Sequence, residues 1–255
     1  MKLYPLFALA ASASALSTAG LQAAILASYD FTGIGNAQLG SSYSTVVPGT
    51  NPSSIGADVR ASQLLMAPYD TALPSYGLTF SGAGGAAVGV ATAPVITDNL
   101  AGNGIGSREI DTGTRHDAKV ANDFLQFVLV PTTGKALHFD ETNVLGFDAQ
   151  IRYGGAAEQA IETTFTVALY TSLDGYAKPV GRTSLTHSGT GGTKSGFVHL
   201  SIDLTKIGPV APDTPVTFRL YLYSDGQTMK GATTLSNRNV DLDNIVVNGS
   251  VVSAD

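Results

Sequence analysis

The chain has 255 residues, with 14 Lys and Arg against 20 Asp and Glu and a formal net charge of −6. Charged residues are 13% of the whole, against roughly 25% in an average soluble domain, which excludes charge-driven disorder, and the acid excess excludes the basic surface that nucleic-acid phosphates require. The absence of Cys removes disulfides, thiolate zinc sites and Cys nucleophiles, the absence of Trp removes the strongest sugar-stacking side chain, and 44% apolar residues with 29 Gly and 11 Pro supply a core with many turns.

Residues 1–23, MKLYPLFALAASASALSTAGLQA, carry Lys2 and then an apolar run from Leu3 to Leu16, with no further charge before Asp30. Small residues follow, with a cleavage point after Ala23 and a second one after Ala19. This is the pattern of a secretory signal peptide. A membrane anchor would need about 20 strongly apolar residues, and the Ala/Ser-rich second half falls short of that. Removing Lys2 leaves a mature chain one charge more negative, without a further apolar span.

The mature chain reads as short strands. AAILASYDF (23–31) opens it, and VRASQLLMA (59–67) has the spacing of a short helix. GLTFSG (77–82) and AAVGVA (86–91) flank Gly84 and Gly85 as a hairpin. DFLQFVLVP (123–131) places Phe124, Gln126, Val128 and Val130 on one face and Leu125, Phe127 and Leu129 on the other, so both faces are largely apolar and the strand is predicted to be central. ALHFDE (136–141) and NVLGFDAQIRY (143–153) follow, and GGAAEQAIE (154–162) has room for one helical turn. TTFTVALYTS (163–172) runs into Asp174-Gly175, a hairpin turn signal with KPVGRTSLT (178–186) as its return. GFVHLSIDL (196–204), PVTFRLYLYS (215–224) and NVDLDNIVVNGSV (239–251) alternate to the end. Turns every 8–15 residues without a recurring helical period predict one antiparallel two-sheet β-sandwich over residues 24–255.

The ordered set LASYDFTG, DFLQFVLVPTTGKAL, FTVALYTSLDGYAKPVG, PVTFRLYLYSDG and VDLDNIVVNGSV resembles exported β-sandwich proteins of Gram-negative bacteria that commonly carry a PEP-CTERM sorting signal. The resemblance covers most of residues 24–251. It departs at the C-terminus, where such proteins have Pro-Glu-Pro, an apolar span and a basic tail and this chain reads Val251-Val252-Ser253-Ala254-Asp255, without that anchor. The resemblance implies a jelly-roll similar to carbohydrate-binding modules and laminin-G-like sandwiches, outside the cell or at its surface, in contact with the envelope or extracellular matrix. It implies no activity.

Chemistry-bearing patterns are sparse. No G-x-S-x-G marks a nucleophile elbow. None of the four His pairs with another at helical zinc spacing; His116 lies in a polar loop and His199 on a strand. Gly82 to Ala87 fits a loose G-x-G-x-x-A, but a strand follows it and the phosphate-binding helix start is missing. Glycoside hydrolysis needs two facing carboxylates; adjacent Asp140 and Glu141 point to opposite faces of a strand, and Glu158 with Glu162 reads as a solvated turn. No catalytic residue is therefore assigned, and the chain is not expected to be an enzyme; a polysaccharide hydrolase or lyase stays as the lesser alternative.

Two clusters stand out. Asp241 and Asp243 project from one face of the last strand, and paired carboxylates favour a cation or an Arg between them. Hard oxygen donors suit Ca²⁺. The resemblance implies a structural calcium joining the first and last strands, for which Asp30 and Asp243 are the matching positions. The other reading has Asp243 and Asn244 bonding nearby backbone N–H groups. In FRLYLY, Phe218, Leu220 and Leu222 form the core face, while Arg219, Tyr221 and Tyr223 make an aromatic row with a cation that can take a sugar ring, or Arg219 can pair with Asp241 or Asp243. The expected role is a secreted or envelope-associated binder of polysaccharide or matrix, without nucleic acid or a membrane span in the mature chain. A structural or assembly protein of the cell surface is the alternative.

Overall fold

A computed structural model describes residues 23–30, 49–66, 79–82, 89–95, 124–153, 161–190, 192–223, 227–229 and 238–254. Residues 1–22 of the expected signal peptide 1–23, Gly84-Gly85, His116 and Glu158 lie outside them.

The described residues form sixteen strands: β1 (Ala24–Tyr29), β2 (Gly49–Thr50), β3 (Ser54–Ile55), β4 (Val59–Ala61), β5 (Leu64–Met66), β6 (Thr79–Gly82), β7 (Gly89–Val95), β8 (Phe124–Pro131), β9 (Lys135–His138), β10 (Val144–Tyr153), β11 (Ile161–Thr171), β12 (Gly181–Gly189), β13 (Val198–Asp203), β14 (Val216–Tyr223), β15 (Gln227–Met229) and β16 (Arg238–Ser253). They pair antiparallel into two sheets. The first has the order β13-β10-β16-β1-β3, with β7 and β9 also on β16 and β6 on β7; the second has the order β12-β11-β14-β8-β5-β2, with β4 on β8 and β15 on β11. This is the expected two-sheet sandwich.

Alternation builds the space between the sheets. Leu125, Phe127 and Leu129 of β8 and Val216, Phe218, Leu220 and Leu222 of β14 are buried there. Leu145, Phe147, Ala149 and Ile151 of β10 meet them with Leu242, Ile245 and Val247 of β16. The Phe127 and Phe218 rings stack at 5.0 Å and 4°. Tyr29 of the first sheet reaches Phe127 of the second at 5.4 Å, and its phenol donates to the Ser62 carbonyl at 2.8 Å. Burial pushes that phenol's pKa up, so it stays a donor.

Two expectations change. Residues 59–66, the described part of the expected helix 59–67, are not helical: β4 and β5 both add to the edge of β8, through Val59–Pro131 and Leu65–Gln126 pairings among others. The backbone of β8 needs hydrogen-bond partners along that edge, and the Ser62 hydroxyl accepts the Val128 N–H at 2.9 Å between the two strands. A helix would leave those groups unpaired. Of the residues assigned to a helical turn before β11, Ile161 and Glu162 belong to β11 itself, and 154–160 lie outside the described residues. Among the described residues no helix is long and apolar enough to cross a membrane.

Candidate functional site

The outer face of the second sheet carries a second apolar cluster of Phe124, Ala168, Tyr170 and Tyr221, with Tyr176 packed on it. Register explains the set. Tyr221 lies opposite Phe124 on one side and Ala168 on the other, and Arg219 lies between Gln126 and Tyr170. Tyr221 is only 2% exposed; Phe124 and Tyr170 meet it edge-on at 5.3 and 5.2 Å.

Arg219 is half-buried. Its guanidinium carbon is 4.4 Å from the Phe124 ring centre and 4.0 Å from that of Tyr176, so the cation is stacked between two rings, the arrangement in which ring quadrupoles attract it. Its Nε donates to Gln126 Oε1 at 2.8 Å. The suggested pairing with Asp241 or Asp243 does not form, because β14 and β16 belong to different sheets. Arg219 and Tyr221 thus share the expected face, with Tyr221 forming its floor rather than an open ring. The Tyr223 side chain lies outside the described residues; its backbone pairs with Thr166.

The Asp174-Gly175 turn signal delivers Tyr176. After β11, Ser172–Asp174 forms one 3₁₀ turn ending at Gly175, whose φ is 66°. Tyr176 also has positive φ, 61°, a conformation uncommon for a bulky side chain. A strap holds it there. The Tyr176 N–H donates to the Thr171 carbonyl at 3.0 Å, the Asp174 carboxylate accepts from the Ala177 and Lys178 N–H groups, and Ser172 Oγ accepts the Thr217 N–H of β14 at 2.9 Å. Asp174 is thus a turn residue. Beside the cluster, Thr166 bonds Ser184 and Thr164 bonds Thr186, both at 2.8 Å.

The outer face of the first sheet has opposite chemistry. Asp148 of β10 lies between Asp243 of β16 and His199 of β13. His199 Nδ1 is 2.9 Å from Asp148 Oδ1, and its ring covers Gly146, where an added Cβ would stand 3.1 Å from two ring atoms. The register of β10 with β16 shifts between Gly146 and Asp148, and Asn244 takes φ 50° at that irregularity. Its side-chain amide donates to Asp148 Oδ2 at 2.8 Å and its backbone N–H to Asp243 Oδ1 at 2.7 Å. The backbone-capping reading of Asp243 is therefore realised.

Asp243 is 6% exposed. Burial raises its pKa most; the Asn244 N–H works against that, and the negative charges of Asp148 and Asp30 raise it further. Asp30 and Asp148 are thus both close enough for their charge to act on Asp243. Asp241 pairs by backbone with Gln150 and Thr92; its side chain lies outside the described residues. Carboxylates are the hard oxygen donors that Ca²⁺ takes. Among the described residues no three His, Asp or Glu side chains converge on one metal position.

Two acids weighed in the sequence for glycoside hydrolysis make bonds within the sheets and turns. Asp140 is held below the usual carboxylate range by its bond with the Thr142 hydroxyl at 2.8 Å and by the Thr142 N–H. Glu162 accepts from Ser188 Oγ.

No protein-family model and no curated protein matches the chain. Solved structures with similar strand arrangement include the K1 cleaved adhesin domain of Lys-gingipain from Porphyromonas gingivalis W83, at 11% identity and TM-score 0.31, covering 86% of this chain and 95% of that one. A family 28 carbohydrate-binding module specific for non-crystalline cellulose aligns at 13% identity and TM-score 0.29, over 67% and 79% of the two chains. A family 11 carbohydrate-binding module from Clostridium thermocellum, in complex with a β-1,3-1,4-mixed-linked tetrasaccharide, aligns at 12% identity and TM-score 0.26, over 76% and 86%. These likenesses are too distant to carry a ligand or a residue's role across.

Proposed function

We propose that the chain is an exported, surface-associated, non-catalytic β-sandwich that binds polysaccharide on the outer face of its second sheet. The observation that carries this reading is the stack of Tyr176, Arg219 and Phe124 over the Tyr170–Tyr221 floor. Aromatic faces pack against the C–H faces of sugar rings while a guanidinium bonds their oxygens, and ligand sites are typically apolar surfaces with a few fixed polar groups. Export through the 1–23 leader and the kinship with PEP-CTERM proteins belong to the same proposal; fractionation of a Gram-negative host expressing the full chain tests them, with retention in the cytoplasm as the opposing result.

Affinity electrophoresis of the purified chain in gels containing a panel of polysaccharides tests binding. At least one should retard the native chain, and Tyr176→Ala should move at the unretarded rate with an unchanged melting curve. Retardation by no glycan and no cell-envelope fraction overturns the reading.

The proposal includes a structural Ca²⁺ held by Asp30 and Asp243, with Asp148 beside them and Asp241 as a further donor. The ion would neutralise neighbouring carboxylates and tie the end of β1 to the interior of β16, where Asp243 stands. An assembly role at the cell surface is the second reading, favoured by Phe197 and Val198, which are 47% and 40% exposed at β13; light scattering that shows oligomers without any glycan supports it.

A further inference from the structure

Resting on the polysaccharide reading above, we infer that the ligand is an acidic polysaccharide, one whose sugar rings bear carboxylates, and that the guanidinium of Arg219 reads the carboxylate. The chain has more acids than bases, yet no carboxylate among the described residues pairs with this half-buried cation. The described ion pairs are Arg60 with Asp213, Lys135 with Asp58 and His199 with Asp148. Arg219 instead spends Nε on the neutral Gln126 and stacks its plane between Phe124 and Tyr176.

With its carbon within 4.4 Å of both ring centres and Nε bonded to Gln126, the guanidinium presents its Nη fork as the group that can bond a ligand. A guanidinium fork matches a carboxylate through two parallel N–H···O bonds, which a neutral hydroxyl cannot reproduce. Among the described residues, Asp174 on the same strap turns its oxygens to backbone N–H groups and does not compete. Lys178 follows Asp174 in the same strap. The carboxylates of the first sheet's outer face, Asp148 and Asp243, stand on the far side of the core. Charge complementarity therefore selects an anionic sugar polymer over a neutral one.

The test compares polygalacturonate and alginate with their esterified forms, which keep the same backbones and lose the charge, using the full chain in affinity electrophoresis. The native chain should bind an acid form at least about tenfold more tightly than its ester, the difference expected of a hydrogen bond to a charged group. Arg219→Gln should lose that preference, Arg219→Lys should keep part of it, and added salt should weaken the acid form selectively. If Arg219→Gln does not fold, the acid-to-ester ratio of the native chain decides alone. Equal binding of acid and ester, or binding of neutral glycans only, overturns this inference and leaves the proposed function standing. Binding of no glycan at all overturns both.

Discussion

The two outer faces of the sandwich rest on one shared core and have opposite chemistry. The first sheet sets Asp148 opposite Asp243 and adds Asp30 nearby; the second sets Arg219 among Phe124, Tyr170, Tyr176 and Tyr221. Packed sheets stand about 10 Å apart, and salt screens exposed charges beyond about 8 Å at physiological strength. The carboxylates and the guanidinium therefore persist as separate sites instead of pairing. Inward positions are constrained by packing, whereas outward positions are free to differ, and their differences are where a ligand can be recognised.

The largest expected effect strikes what both faces share. Phe218→Ala removes a fully buried ring stacked on Phe127 and should cost about 3–5 kcal/mol in urea unfolding, lowering calcium response and glycan binding together. Loss of one alone would mean that the faces do not depend on a common core.

The proposed calcium site would separate the faces. In EDTA the melting temperature should fall and excess Ca²⁺ restore it, by about 2.7 kcal/mol at 100 times the dissociation constant, or several degrees for a chain of this length. Asp243→Asn should abolish the response and leave glycan retardation unchanged. An unchanged melting curve in EDTA removes the ion from the account.

A smaller effect follows from Asp243 without metal. Its folded pKa is raised by burial and by Asp148 and Asp30, so the native state holds a proton that the unfolded chain releases. Its stabilising contribution is complete below the ordinary carboxylate range and is lost as pH rises through the folded value. In EDTA, Asp243→Asn should remove that decline, so its unfolding free energy should fall less than the native chain's between about pH 4 and 7. Parallel pH profiles would contradict the raised pKa.

Smallest is Gly146→Ala beneath His199. The ring is exposed and can tilt away, so the cost should stay within about 1 kcal/mol, with a shift of the His199 ring signals in NMR and none at Tyr176. A cost of several kcal/mol would show that the His199–Asp148 contact is rigid.

The fold was legible because alternation is local. Phe218, Leu220 and Leu222 could be assigned to the core from period two alone, and so could the central place of β8, given two apolar faces. The segment 59–67 misled because two three-residue strands with a kink at Ser62–Gln63 spread Val59, Leu64 and Leu65 at a spacing that mimics a helix. Arg219 and Tyr221 were legible as neighbours on one face. Asp148 was not, since its place beside Asp243 depends on β10 pairing with β16, which are about a hundred residues apart. Tyr176 was missed although the Asp-Gly turn before it was recognised: a turn motif shows where the chain reverses, not which following ring folds back onto the sheet. Phe124 and Gln126 were placed on their strand face, but their partners came from the neighbouring β14.

The stacked Arg219 on the second sheet is the proposed glycan-recognition point. An NMR titration of the full chain with oligogalacturonate probes it directly, following the Arg219 Nε–H and the Tyr170, Tyr176 and Tyr221 ring signals against those of His199 and Asn244. Saturable shifts are expected in the first group and none in the second; shifts confined to His199 and Asn244, or none in either group, would rule Arg219 out as that point.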